Sequence, residues 1–444
     1  MNSGDTAWVL ASAALVLLMT PGLAFFYGGM VRTRSVLNML MMSIGAMGVV
    51  GVLWVLFGYS ASFSDDIGLG LLGNPFAAFG LHGLLGDNSL NGTIPSMAVV
   101  AFQAMFAIIT VALISGAIAD RARFGPWLVF GGLWATLVYF PIAHWVFDAD
   151  TTDAQGHVTA HGGWIDNTLK AIDFAGGTAV HINAGAAALA LALVLGKRRG
   201  WPKDTGKPHN VPFVMLGAGL LWFGWFGFNA GSELKANGAA STVFVNTMVA
   251  TCAAMLAWLL VERVRDGHGT TLGAASGIVA GLVAITPSCS SVTPIGAIVV
   301  GAVAGALCPL AVGLKYRFGF DDSLDVVGVH LVGGMVGTLL VGFLASKEAP
   351  AGVDGLFYGG GFDQLWRQAV GAFTVLIYSF VLSLALGWLI KKTIGFRLSV
   401  EDEVEGVDET QHAETAYHYG DEHSTRLSPV RTSEGKPELE DSKA

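Results

Sequence analysis

Two histidines, His181 and His330, lie inside long apolar runs, and each follows an aspartate by eight residues. The runs are DFAGGTAVHINAG, from Asp173 to Gly185, and DDSLDVVGVHLVGG, from Asp321 to Gly334. An ionisable side chain within a bilayer is costly, so it is read first as a functional site. A neutral imidazole carries one donor and one acceptor nitrogen. Two of them side by side can share a hydrogen bond and still offer nitrogens to something passing through. Burial disfavours the charged form, so the chemistry expected is a neutral pair relaying a small polar solute or a proton through an apolar passage. The competing reading is a pair of satisfied helix-packing histidines. A metal site would need a further ligand at matching depth, usually a carboxylate, and the apolar runs supply none. Cys252, Cys289 and Cys308 fit neither a zinc site nor a disulfide framework. No metal, cofactor or enzymatic activity is expected. Asp173 precedes FAGG and can cap its helix, fix the outer vestibule or bind a cation directly; Asp321, Asp322 and Asp325 read as capping and structural residues.

Aromatic residues form a second candidate group. Phe102 and Phe106, in FQAMFAIIT, lie one helical turn apart on one face. WFGWFGFNAGSEL (222–234) crowds aromatics at one end of another apolar run. One reading is an interfacial aromatic belt. The other is a cation-binding vestibule, in which each ring attracts an unsolvated cation by roughly 0.5–2 kcal/mol and Ser232 accepts a hydrogen bond. A phenyl constriction beneath it would exclude water and hydrated metal ions.

The elements that must position these groups are membrane helices. Of 444 residues, 53% are hydrophobic and 13% charged, against roughly 25% charged in soluble domains. Apolar stretches of spanning length recur along the chain, which predicts an all-α integral membrane protein. Eleven transmembrane helices are expected, near 8–31, 36–59, 96–119, 124–147, 174–196, 211–231, 240–262, 270–287, 293–314, 327–345 and 367–390. The sixty glycines suit helices that pack closely in lipid. Sixteen Lys and Arg flank alternate spans on one side, from Arg32 to Arg397, against Lys170, Lys235, Lys347 and Arg367 on the other. That bias predicts an N-terminus outside and a C-terminus in the cytoplasm of a cell (plasma) membrane protein. Spans 1–5 and 6–10 are then inverted five-helix repeats, with an eleventh helix added, and the site belongs at the midplane. Eight helical residues rise about 12 Å, which carries His181 and His330 from opposite surfaces to a common depth. Residues 1–399 form the transmembrane domain; 400–444 read as a cytoplasmic tail whose part from about 420 on is disordered. No nucleic-acid partner is expected at a net charge of −9.

From about Trp8 to about His418 the sequence resembles ammonium transporters of the Amt/Rh family, on the Amt side. The resemblance rests on six motifs in order: PGLAFFYGGMVR, FAIITVALISGAIADR, PIAH, the Asp173 run, WFGWFGFNAGS and the Asp321 run. It implies a homotrimer, each subunit conducting ammonium or ammonia, with methylammonium as a further substrate. By motif position, Phe106, Phe147 and Ser232 would form the outer recruitment site, and Phe106 and Phe228 a phenyl gate. His181 and His330 would be twin pore histidines, Trp225 a pore-side tryptophan, and Asp173 the family's outer aspartate, structural or engaged in deprotonation. The run AHWVF departs from the AHWVW of many members, placing Phe147 where a better cation–π partner stands. Trp145 has the wrong helical phase to replace it. The acidic segment Asp148–Lys170 that follows is long and expected to modify the entrance. In bacterial members a PII-type signalling protein binds the cytoplasmic face, and the tail contacts neighbouring subunits. The alternative function is an ammonium sensor that signals through a cytoplasmic partner.

Overall fold

The apolar runs fold into eleven helices arranged so that their glycine and alanine faces meet inside and their larger aliphatic faces point outward. The computed structural model describes residues 1–87, 89–153, 155–203 and 206–417; the expectation for the distal tail lies outside these residues. Helices of the first half are α1 Ser3–Met30, α2 Val36–Phe63, α3 Ser96–Ile118, α4 Phe124–Phe147 and α5 Gly177–Leu195. Those of the second are α6 Val211–Gly231, α7 Gly238–Asp266, α8 Thr271–Ile285, α9 Pro294–Phe318 and α10 Val327–Leu344, followed by α11 Asp363–Thr393. Two short antiparallel hairpins, Leu90–Asn91 with Ile94–Pro95 and Thr151–Thr152 with Val158–Ala160, lie in loops on the N-terminal face.

Ten of the eleven are long and apolar enough to cross a membrane. The exception is α8, read from the sequence as 270–287 but only 15 residues long, about 22 Å at helical rise. Its continuation, Thr286 to Val292, turns through buried irregular backbone. Such backbone is tolerated at membrane depth only inside protein. Here Asn246 Nδ2 of α7 donates to the carbonyls of Cys289 and Val292 at 2.9 Å each, which takes the place of helix bonds.

The lead helices of the two halves, α1 and α6, pack along each other through small residues. A Cβ on Gly217 would stand 2.3 Å from Phe26 N. On the C-terminal face the loops are tied by charge. Arg198 reaches Asp321 through Nε and Nη2 at 3.0 Å each, and Asp120 through Nη1 at 2.9 Å. Arg121, fully buried, donates to the carbonyls of Ala117 and Asp321 and to Ser323 Oγ. Three loops are thereby joined: α3–α4, α5–α6 and α9–α10. The start of the tail docks on the same face through α12 Val400–Glu405 and α13 Val407–His412. The Asp408 carboxylate accepts from Leu37 N and Asn38 N in the first turn of α2.

Burial pushes the Asp321 carboxyl up, but Arg198 and Arg121 outweigh it and hold it below the usual carboxylate range. A depressed carboxylate contributes stability at neutral pH and loses it as pH falls through its folded pKa, so this network weakens as the pH drops below the ordinary carboxylate range. Removing one partner of a buried pair costs about 3–5 kcal/mol. Arg198→Ala is therefore expected to lower the thermal unfolding midpoint of the detergent-solubilised protein well below wild type; an unchanged midpoint would remove the network from the fold's supports.

Candidate functional site

The two histidine segments are built alike. Helix α5 does not begin at Asp173. That side chain stays outside and its carboxylate accepts from Gly176 N, Gly177 N, Thr178 N, Thr178 Oγ1 and Ala179 N. Gly176 provides the φ of +112° that lets the chain turn into the helix. The first turns, Gly177–Ile182, are π-helical. In α10 the first turn, Val327–Leu331, is π-helical as well, and Asp322 Oδ2 accepts from Val327 N at 2.7 Å. Thr178 N meets Asp173 Oδ2 at the same distance and the same five-residue spacing. The eight-residue helical rise expected from the sequence is thus shorter, because the carboxylates cap the helices rather than join them. Both histidines remain level because both halves carry the same offset.

The helices then cross where neither has a Cβ. Gly185 stands four residues after His181, and a Cβ there would lie 2.5 Å from Leu331 N. Gly334 stands four residues after His330, and a Cβ there would lie 3.0 Å from Ile182 Cγ1. This reciprocal contact brings His181 Nδ1 and His330 Nδ1 to 3.3 Å, with ring centroids 5.4 Å apart. Both rings are buried. At that distance one Nδ1 carries the proton and the other accepts it. His181 Nε2 has no protein partner. The cavity beside the two rings holds about 10 Å³, room for about one water-sized molecule. Its other walls are apolar, among them Leu23, Ile109, Leu113 and Val279.

Toward the N-terminal face the rings continue. Trp225 stacks on His181 at 5.4 Å, fixed by its Nε1 donating to Thr286 Oγ1 at 2.9 Å. Phe228 stacks on Phe106 with centroids 4.0 Å apart and planes 17° from parallel, and both rings are buried. Phe147 stands edge-on to Phe106 at 6.2 Å. Beyond this pair a cavity of about 780 Å³ is lined by Phe147, Ser232, Gln103, Asp166, Asp173 and Glu233, among others. The Ser232 hydroxyl donates to Phe228 O at 2.8 Å, which leaves its oxygen lone pairs for a ligand. Phe147, Ser232 and Asp173 line this cavity, and Phe106, Phe228, Trp225, His181 and His330 follow from it ring against ring. Phe102 packs on Phe106, and Asp321, Asp322 and Asp325 lie at the other end. Trp145 does not join the rings; its Nε1 donates to Leu71 O and its ring packs on Tyr378.

Two groups escaped the sequence reading. Gln103 Oε1 is buried and unpartnered on the wall of the same cavity; its place within FQAMF was the available signal. The other is His144, noticed only as part of PIAH. It lies between Asp66 and Asp148, which come from different loops.

Eleven helices, ten of them long and apolar enough to cross a membrane, define a multi-pass membrane protein. A family model described as Ammonium Transporter Family matches residues 7–417, and the chain belongs to that family. An ammonium transporter of Mycobacterium tuberculosis (strain ATCC 25618 / H37Rv) is 64% identical, the match covering 98% of this chain and 94% of the relative. The crystal structure of Saccharomyces cerevisiae Mep2 superposes with a TM-score of 0.80 at 35% identity, over 90% of this chain and 88% of that one. A structure titled "Sensor Amt Protein" gives 0.82 at 28% identity, over 92% and 98%. Ammonium transport is the activity that this membership supports.

If the glycine crossing sets the imidazole pair, Gly185→Val and Gly334→Val should each abolish ammonium uptake by reconstituted protein. Transport at the wild-type rate by either folded variant would show that the crossing is not required.

Proposed function

We propose that the protein conducts ammonium inward by collecting NH4+ in the cavity beyond the phenyl pair and passing NH3 along the two histidines. The single observation that carries this reading is the 3.3 Å contact between the two buried imidazoles beneath a closed pair of phenyl rings. At the entrance Phe147 and Phe106 offer ring faces and edges, while Ser232 and Gln103 offer oxygens to N–H donors. A charge at the membrane centre costs several kcal/mol, so the ion gives up its proton to water in the open entrance cavity before the phenyl pair. A neutral, water-sized molecule fits the cavity that follows, and His181 Nε2 is free to meet it. Asp173 already receives five donors, which favours a positioning role for its carboxylate over a direct part in taking the proton.

The same reading places the N-terminus outside and the tail in the cytoplasm of a plasma membrane protein, from the lysine and arginine bias. Residues 1–399 act as the transmembrane domain and the remainder as the tail. A homotrimer, and a PII-type protein acting on the cytoplasmic face, follow from the family resemblance. The sensor reading is favoured by one observation, the likeness to a structure titled "Sensor Amt Protein". Transport is preferred because the family model that matches residues 7–417 is that of ammonium transporters and the two imidazoles that the transport route needs are paired.

An ammonium jump applied to reconstituted protein on a solid-supported membrane, paired with labelled methylammonium uptake in proteoliposomes, tests both readings. Substrate-dependent uptake is expected, and a double His181→Ala, His330→Ala variant should change flux or selectivity at least tenfold, a barrier difference of about 1.4 kcal/mol. Unaltered flux and selectivity in the double variant would sink the histidine route; binding without uptake by the wild type would favour the sensor.

A further inference from the structure

The conduction route leaves the acidic segment between α4 and α5 unused, yet that segment begins one residue after Phe147. Its first residue, Asp148, meets a fully buried histidine. His144 Nδ1 lies 3.1 Å from Asp148 Oδ2 and 3.3 Å from the Ser62 carbonyl oxygen. His144 Nε2 lies 3.3 Å from Asp66 Oδ1. One imidazole is therefore held between carboxylates from two loops, and the backbone closes around it. Gly163 N and Asn167 Nδ2 donate to Asp148 O at 2.8 and 2.9 Å, while Gly70 N and Leu72 N donate to the Asp66 carboxylate. A Cβ on Gly163 would lie 1.9 Å from His144 O, so the segment sits directly on the end of α4.

This arrangement holds the Asp148 carboxylate on His144, one residue along the chain from the entrance aromatic. Phe147 and Ala149, the neighbours of Asp148 in the chain, both line the entrance cavity, together with Ser232 and the unpartnered Gln103 Oε1. That orphaned acceptor independently marks the cavity as a place for an N–H donor. The titratable groups around Asp148 are His144 on α4, Tyr59 on α2, Asp66 from the α2–α3 loop, and Asp150 and Asp166 from its own segment. His161 faces Asp150 at 4.0 Å, and its backbone N–H donates to Asp65.

We propose that Asp148, held by His144, is a positioning residue that sets how strongly the Phe147 entrance attracts ammonium, and that protonation from outside switches this attraction off. The inference rests on the recruitment site proposed above. A phenyl ring is a weaker cation–π partner than an indole, and a fixed negative charge next to it restores part of the missing attraction. Burial raises the Asp148 carboxyl, against the opposing pull of His144, and Asp166 and Asp150 add to the rise, bringing it to about 6. The group is therefore ionised above that pH and neutral below it.

The test uses full-length protein in proteoliposomes, with labelled methylammonium uptake and unlabelled ammonium as competitor, at external pH values from about 5 to 7.5, the range bracketing a carboxyl raised this far. Ammonium itself stays almost wholly protonated throughout. The half-inhibiting ammonium concentration of the wild type is expected to rise on the order of fivefold as pH falls through the titration of Asp148, the size of one nearby, partly screened charge. Asp148→Asn should hold the acid value at every pH, and Asp148→Glu should keep the pH dependence. A flat wild-type profile, or Asp148→Asn tracing the wild-type profile, would overturn the proposal. If the asparagine variant fails to fold, the wild-type and glutamate profiles still decide. Absence of any wild-type uptake would instead bring down the transport reading on which this one stands.

Discussion

Two imidazoles that share a hydrogen bond in an apolar interior constrain every element around them. Their Nδ1 atoms stand 3.3 Å apart, and no water layer can make up for a helix set too far away. Helices α5 and α10 must approach to backbone contact, which is why Gly185 faces Leu331 and Gly334 faces Ile182. Each ring must also leave its helix at an angle that reaches the other. The π-helical first turns, Gly177–Ile182 and Val327–Leu331, provide that angle at the cost of irregular backbone bonding. Asp173 and Asp322 meet that cost by accepting the exposed N–H groups at the start of each turn. The repeat therefore supplies more than two histidines. It supplies two copies of a cap, a widened turn, an imidazole and a glycine, in one order and at one spacing.

The walls around the pair follow from the same constraint. A water-filled channel would let ions cross and would let the rings bond to solvent instead of each other. Leu23, Ile109, Leu113 and Val279 leave room for about one small molecule at the histidines, and the Phe106–Phe228 stack closes the way above them. Trp225 backs His181 and is itself anchored to Thr286. Thr286 lies where α8 ends early, so the short eighth helix and its buried turn belong to the support of the Trp225 ring. A longer α8 would extend helix through the residues that now turn, including Pro287, which packs against Gly177.

Much of this was legible in the chain because lipid imposes simple rules on it. Apolar length gave 124–147 and 211–231 to the residue for α4 and α6, and repeated Asp-to-His spacing marked α5 and α10. What spacing cannot convey is a contact between distant segments. His144 and Asp66 are 78 residues apart, so PIAH alone gave no sign of a carboxylate-flanked imidazole. The start of α5 was read as Phe174 because apolar residues begin there, whereas the Asp173 carboxylate takes up the next N–H groups and delays the helix to Gly177. Gln103 reads as one polar residue on an apolar helix; only its surroundings reveal that its oxygen lacks a partner.

The symmetry that builds the centre stops short of the two ends, and the direction of function has to come from there. Asp173 and Asp322 match in spacing, yet Asp173 is saturated by five donors beside an open cavity, whereas Asp322 keeps one oxygen unpartnered among packed loops. Beyond Asp173 lie ring edges, hydroxyl and amide oxygens, and several carboxylates. Beyond Asp322 lie Arg198, Arg121 and Lys315, which bind the loops to one another and repel a free cation. The first end offers acceptors with spare capacity, the Ser232 hydroxyl and Gln103 Oε1, around an open cavity. At the second the Asp321 and Asp325 carboxylates are taken by arginine and lysine, and the unpartnered Asp322 Oδ1 is buried. A facing pair of imidazoles cannot by itself distinguish one side from the other, so on the recruitment reading proposed above the two differently furnished ends would decide where an ion is gathered.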